Sequence, residues 1–177
     1  MSAARSVLRG GRSALTCLLI IAAAIVAVPP QHATTPSQVS YTRDLARLAR
    51  TAHYAVLAPE GLPRGWRPDS SVLTLGGANG PGTATWHLGY VTPSGRDASL
   101  EESDASAAGF IRRMTNSGTA QPPARVSGRL WNLAWTAGRG QRSMYYTSRA
   151  GATVVVTGNA TWAELRALAA SLRPQPR

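Results

Sequence analysis

Lysine is absent from this 177-residue chain, and all 19 of its basic residues are arginine. That absence excludes a phosphate-cradling Gly-Lys-Ser loop, whose lysine has to reach the terminal phosphates. Cysteine is almost absent too. The lone Cys17 leaves no disulfide within the chain and no cysteine-based metal site. It sits in Ala14-Leu15-Thr16-Cys17, with Thr16 where a lipid-attachment motif needs Gly or Ala, and it stands at the start of an apolar run instead of closing it. A lipoprotein is not expected. Acids are scarce, 8 in all, for a net charge of +11. Nucleic-acid binders gather such charge into a stripe or tail. Here the arginines run from Arg43 to Arg177 with acids between them, which reads as a solvated surface and excludes nucleic acid as the expected partner. Arginine without lysine, beside abundant Ala, Gly and Pro, is the mark of high-GC coding, as in actinobacteria. A basic domain of this kind suits anionic lipid headgroups or acidic wall polymers.

Long apolar runs are missing as well, with one exception. Arg5, Arg9 and Arg12 precede Ala14 to Val28, which only Thr16 and Cys17 interrupt, and Pro29-Pro30 ends it. A basic flank before an apolar core is what the export machinery reads, and the flank stays in the cytoplasm. The run spans about 22 Å as a helix, short of the roughly 30 Å hydrocarbon core, which favours cleavage. The cleavage region is poor, however, because Pro29 follows Val28 and Gln31-His32-Ala33 offers a large residue where a small one is needed. The expected layout is a cytoplasmic n-region (1–13), an uncleaved single-pass signal anchor (14–30), a linker (31–40) and an extracytoplasmic domain (41–177). Secretion after cleavage is the alternative. The hydrophobic fraction of 44% allows one buried core without staples.

Leu45, Leu48, Ala49, Ala52 and Tyr54 fall at helical spacing and predict a short amphipathic helix before the Pro59–Pro63 turn. Strand signals follow. Val72 to Leu75 leads into a Gly-rich hairpin loop at 76–82, and Trp86, Leu88 and Tyr90 alternate on one face. Thr92-Pro93-Ser94-Gly95-Arg96 fits a three-residue hairpin with Gly95 left-handed. That register sets Leu88 opposite Leu100, Tyr90 opposite Ala98 and His87 opposite Glu101. Asp104 can cap a helix running to about Met114, with Phe110, Ile111 and Met114 as its apolar side. The second half repeats the scheme. Trp131, Leu133 and Trp135 alternate, Met144–Ser148 and Thr153–Thr157 are strands, and Thr161-Trp162-Ala163-Glu164 is a capping box. Its helix presents Leu165, Leu168, Ala169 and Leu172 and stops at Pro174. The fold class is α+β: an antiparallel sheet of about six strands with helices packed on it, after an N-terminal transmembrane helix.

The block Tyr54-Ala55-Val56-Leu57-Ala58-Pro59-Glu60-Gly61-Leu62-Pro63 is followed by Gly65-Trp66-Arg67 and Trp86-His87-Leu88-Gly89-Tyr90. Leu100-Glu101-Glu102-Ser103-Asp104 and Val154-Val155-Val156-Thr157-Gly158 come later. Together they resemble an actinobacterial family known only as domain of unknown function 4245. The resemblance covers Tyr41 to Leu172. It implies an N-terminal membrane segment and an extracytoplasmic α+β domain, and it implies no reaction. The stretch from Gly158 to Leu172 also resembles the end of sensor domains attached to anti-sigma factors.

The three histidines, His32, His53 and His87, are not spaced as metal ligands, and neither a Gly-x-Ser-x-Gly elbow nor a His-Glu-x-x-His motif occurs. No metal or cofactor is expected. His87 opposite Glu101, with Glu102 adjacent, is the one acid–base candidate. Without a nucleophile in view it reads as a cross-strand polar pair. Of the five tryptophans, Trp86, Trp131 and Trp135 read as core. Trp66, between Arg64 and Arg67 in a Pro- and Gly-rich segment that cannot be a regular helix or a central strand, reads either as a binding residue or as a plug at one end of the core. The expected function is therefore a membrane-anchored, non-enzymatic binding or interaction module. Arg64, Trp66, Arg67, His87 and Glu101 are its candidate contacts, and an envelope protein or anionic cell-wall component is its partner. The alternatives are an envelope hydrolase using His87 and Glu101, or a sensor-type domain. A pocket joining that pair to a Ser or Asp would favour the enzyme, and a closed polar sheet face would favour the module.

Overall fold

A computed structural model describes residues 40–76 and 82–176, all within the unit Pro36–Arg177. The n-region, the apolar anchor, Cys17, most of the linker and the tip of the Gly-rich loop lie outside the described residues. Among the described residues, no helix is long and apolar enough to cross a membrane.

The chain opens with α1 (Thr42–Thr51), then β1 (Leu57–Pro59), β2 (Arg67–Leu75), β3 (Ala84–Val91), β4 (Asp97–Ser103) and α2 (Ala107–Met114). After these come β5 (Thr119–Val126), β6 (Arg129–Thr136), β7 (Gln141–Thr147), β8 (Thr153–Gly158), α3 (Trp162–Ser171) and β9 (Leu172–Pro174). The main sheet has seven strands in the order β2-β3-β4-β8-β7-β6-β5, and β1 pairs with β9 in a separate two-stranded ribbon. The α+β class holds, while the strand number is seven where about six were expected. The extra strand is β5, which Pro122-Pro123 disguises. It survives because it lies at the sheet edge, where a missing N–H costs no ladder bond, and its register shifts between Gln121 and Ala124. All pairings are antiparallel, so the two meanders β2-β3-β4 and β6-β7-β8 meet along β4–β8.

The expected hairpin is present. Gly95 has φ +74°, its N–H donates to Thr92 O at 2.9 Å, and Leu88, Tyr90 and His87 face Leu100, Ala98 and Glu101. Fixing that register sorts the side chains between two faces. On one face Trp86, Leu88, Tyr90, Leu100, Met144, Val154, Val156, Trp131 and Leu133 pack with Leu48 of α1 and Leu165 and Leu168 of α3 in a single core. On the other face α2 lies over β8, β4 and β7, and Phe110 and Val155 are fully buried outside that core. The capping box of α3 forms as expected, Glu164 N donating to Thr161 Oγ1 and Thr161 N to Glu164 Oε2.

Two expectations fail locally. Asp104 does not cap α2. Its carboxylate accepts from Ala84 N at 2.7 Å and ties the helix approach to β3, while Ser106 occupies the N-cap position without a side-chain bond. Trp135 is half-buried and outside the core, because its ladder neighbours are Thr119 and Arg142 and not apolar residues. The Arg142 guanidinium lies 4.5 Å from its ring centre instead.

Candidate functional site

On the face opposite the core, three rows of side chains run across the sheet. One joins Thr85, Ser103, Thr153 and Thr147; the next His87, Glu101, Val155 and Tyr145; the third Ser70, Gly89, Ser99, Thr157 and Ser143. Small hydroxyl residues dominate the outer two. His87 Nδ1 lies 2.6 Å from Glu101 Oε1, and its Nε2 lies 3.0 Å from Ser70 Oγ. Ser70 also donates to Asp69 Oδ1 at 3.0 Å. The His87 side chain is 37% exposed and that of Glu101 only 8%. The hydrogen bond to Glu101 raises the imidazole pKa above its ordinary value. Burial opposes that shift, and the negative charges of Glu101 and Asp69 add to it.

A single hydroxyl proton cannot serve both Asp69 and His87. When Ser70 donates to Asp69, His87 Nε2 must be the donor and the ring is an imidazolium between two carboxylates. When His87 is neutral with its proton on Nδ1, Nε2 accepts from Ser70. Gly89 permits either arrangement, since a Cβ there would stand 2.1 Å from Ser70 Oγ and 2.5 Å from Asp69 Oδ1. A pocket of about 150 Å³ opens beside this cluster, lined by Asp69, Ser70, His87, Gly89, Ser99 and Thr157 among others.

A second cleft, of about 450 Å³, is lined by Arg112, Arg113, Asn116, Ser117 and Arg139. It lies between the end of α2 and the turn Ala137–Arg139. Arginines beside a helix C-terminus ordinarily answer its exposed carbonyls. Here Gln141 Nε2 donates to Met114 O at 2.7 Å and Thr136 Oγ1 to Thr115 O at 2.7 Å. Arg112 and Arg139 form no ion pair among the described residues.

Of the remaining candidates, Arg64 and Trp66 lie in the loop before β2. Gly65, at φ +94°, packs against Pro93 of the hairpin, where an added Cβ would meet the proline ring at 3.2 Å. That contact brings Trp66 edge-on to Tyr90, ring centres 6.0 Å apart. Trp66 is half-buried against the core, and Arg64 and Arg67 are exposed. Arg67 and Pro68 belong to the edge strand β2 and not to the loop. The structure thus joins His87 to Glu101 and keeps Trp66 against Tyr90 on the core side of the sheet, while Arg67, opposite Val91 in the ladder, shares the face of His87 and Gly89. Elsewhere, Glu102 is fully buried in the core, accepting from Leu57 N at 3.0 and 3.3 Å, and burial pushes its pKa well up. Among the described residues, no group of three His, Cys, Asp or Glu could hold a metal ion.

Sequence reasoning missed Ser70 and Asp69 because the register of β2 shifts between Pro68 and Ser70. The signal for them was Gly89, a glycine inside a strand, which marks close approach of another group.

The family model for a protein of unknown function (DUF4245) matches residues 11–172. The chain belongs to that family. No curated protein matches it. Among solved structures it is similar to one described as the crystal structure of MucB in complex with MucA(peri), at 14% identity and a TM-score of 0.37. That likeness covers 71% of this chain and 38% of the other, so this chain spans well under half the length of that protein. At such a distance the functional argument rests on the residues of this chain.

Proposed function

We propose that the chain is a membrane-held, extracytoplasmic binding module that recognises anionic groups of the cell envelope. The observation that carries this reading is the cleft that Arg112 and Arg139 line, where the carbonyls of Met114 and Thr115 at the helix end are already served by Gln141 and Thr136. Guanidinium groups grip carboxylate and phosphate oxygens through paired hydrogen bonds, which ammonium groups do not. Arg5, Arg9 and Arg12 before the apolar run support the location. Arg64 and Trp66 of the loop before β2, with Arg67 at the start of that strand, are the other seat for the same chemistry.

The test is binding of a fluorescent poly(glycerol phosphate) oligomer to the full chain in neutral detergent. A neutral glucan of equal length is the control. Binding should weaken as salt screens it, and Arg112→Ala with Arg139→Ala should lower affinity at least about tenfold, roughly 1.4 kcal/mol, at unchanged melting temperature. Equal binding by that double variant would move the site to Trp66 if Trp66→Ala abolishes it. Absence of binding by the unsubstituted chain at low salt refutes the reading.

A further inference from the structure

We infer that Ser70, His87 and Glu101 form a serine-type hydrolytic centre for short acyl esters, independent of the arginine cleft. The order of contacts supports it. A hydroxyl lies 3.0 Å from one imidazole nitrogen and a carboxylate 2.6 Å from the other, the connectivity by which a serine becomes a nucleophile. Exposure follows the same division of labour. Glu101 is buried and fixes the ring from below, while His87 is partly open on the side that faces the pocket. Glycine at 89 allows the approach, because any side chain there would displace Ser70. Ser99 is next in the row, and its hydroxyl makes only a long contact of 3.5 Å to Thr157 O, so it is the pocket's donor for a developing oxyanion. A volume of about 150 Å³ takes an acetyl-sized group with its alcohol portion left outside.

The chemistry balances with water as the only co-reactant. Ser70 Oγ bonds to the ester carbonyl carbon as its proton passes to His87 Nε2, and Glu101 holds the Nδ1–H of the imidazolium. The tetrahedral intermediate expels the alkoxide, which takes the Nε2 proton and leaves as the alcohol. Water then attacks the acyl-serine through the same nitrogen and releases the carboxylic acid. Asp69 competes for the Ser70 hydroxyl whenever His87 is protonated, so activity rises with pH as the imidazole loses its proton.

The experiment treats the full chain in neutral detergent with a fluorophosphonate at pH 8, maps the adduct by peptide mass, and follows p-nitrophenyl acetate hydrolysis. The adduct should lie on Ser70. It should vanish in Ser70→Ala, whose edge-strand position leaves the melting temperature unchanged, and fall at least about 100-fold in His87→Gln. Asp69→Asn should move the pH onset downward, which loss of a merely structural contact would not do. An unmodified protein, an adduct on another serine, or wild-type ester hydrolysis by Ser70→Ala overturns the inference.

Discussion

Glu102 offers the most demanding test of the core. It is fully buried between Trp86 and Val154 in its ladder row, and its carboxylate serves one backbone donor, Leu57 N. Burial raises its pKa well above the ordinary 4.5, against a smaller lowering by that hydrogen bond. An acid whose folded pKa is raised binds its proton more tightly in the native state, so stability is highest below 4.5 and falls as pH climbs from there toward the folded value. The size of the effect has a ceiling that does not depend on the folded value. Holding the group protonated at pH 7 costs no more than the free energy of protonating it in the unfolded chain. From 4.5 to 7 that is at most about 3 kcal/mol. Glu102→Gln keeps the shape and the acceptor for Leu57 N and removes the titration. Its new amide lies in a region where the buried Tyr54 hydroxyl has no partner and feels the charge of Glu102. The variant should therefore be more stable than the parent at pH 7, by up to about 3 kcal/mol or roughly 10 °C in melting temperature for a domain of this size, and no more stable at pH 4. Urea denaturation of a chain starting at Pro36, at several pH values between 4 and 8, reads this directly. A stability difference that does not change with pH would show that Glu102 is not titrating in the core, and a loss at pH 7 would refute the argument outright.

His87 shifts stability in the same direction but in a higher pH window. Its pKa is raised, so its contribution to stability is present below 6.5 and disappears as pH rises through the folded value. Proton NMR of the imidazole should show a midpoint above 6.5 that drops in Glu101→Gln; an unchanged midpoint would remove Glu101 as the cause. Trp66→Ala should cost about 2 kcal/mol, below the 3–5 expected for a fully buried Trp, because the ring is half-buried against Tyr90; a loss as large as that of Trp86→Ala would make it core. Thr161→Ala should cost about 1 kcal/mol by removing the cap of α3, read by thermal melting, and a neutral result would show that the box contributes nothing to the fold.

How much of this was legible depended on whether the deciding interactions were local. The β3–β4 hairpin could be read residue by residue, because Pro93 and Gly95 set the turn and the turn sets the register, which brought His87 to Glu101. The capping box at Thr161 was legible for the same reason. Asp104 was misread because a short acid before a helix is a cap by local rules, yet the backbone of β3 offered it a donor. Trp135 alternates as the core residues do, and only the identity of its neighbours across two strands keeps it out. Ser70 was hidden by a register shift of one residue, which no periodicity reports. The arginine cleft is assembled from α2 and a turn distant in sequence, so its composition shows and its geometry does not.

Both candidate sites lie on the sheet face that α2 covers, and one side chain joins them. Gln141, the first residue of β7, donates to Met114 O and to Thr157 Oγ1, each at 2.7 Å, and accepts from Asn116. Asn116 lines the arginine cleft and Thr157 lines the pocket beside His87. A face built of hydroxyl residues does not close by hydrophobic collapse alone, because each polar group buried there needs a partner. Gln141 and Thr136 supply two such partners at the end of α2, which lets Phe110 and Val155 bury a small second core without sealing the sheet edge at β2. Of the hydroxyl rows, Ser103, Thr153, Ser143 and Thr157 are buried, while Ser70, Thr85 and Ser99 toward the β2 edge stay partly exposed. A purely structural sheet would be expected to cover that face or to fill its Gly89 position with a side chain. Here the glycine is required by the approach of Ser70 to His87, and that approach is what makes the open face chemically distinct from an ordinary solvated one.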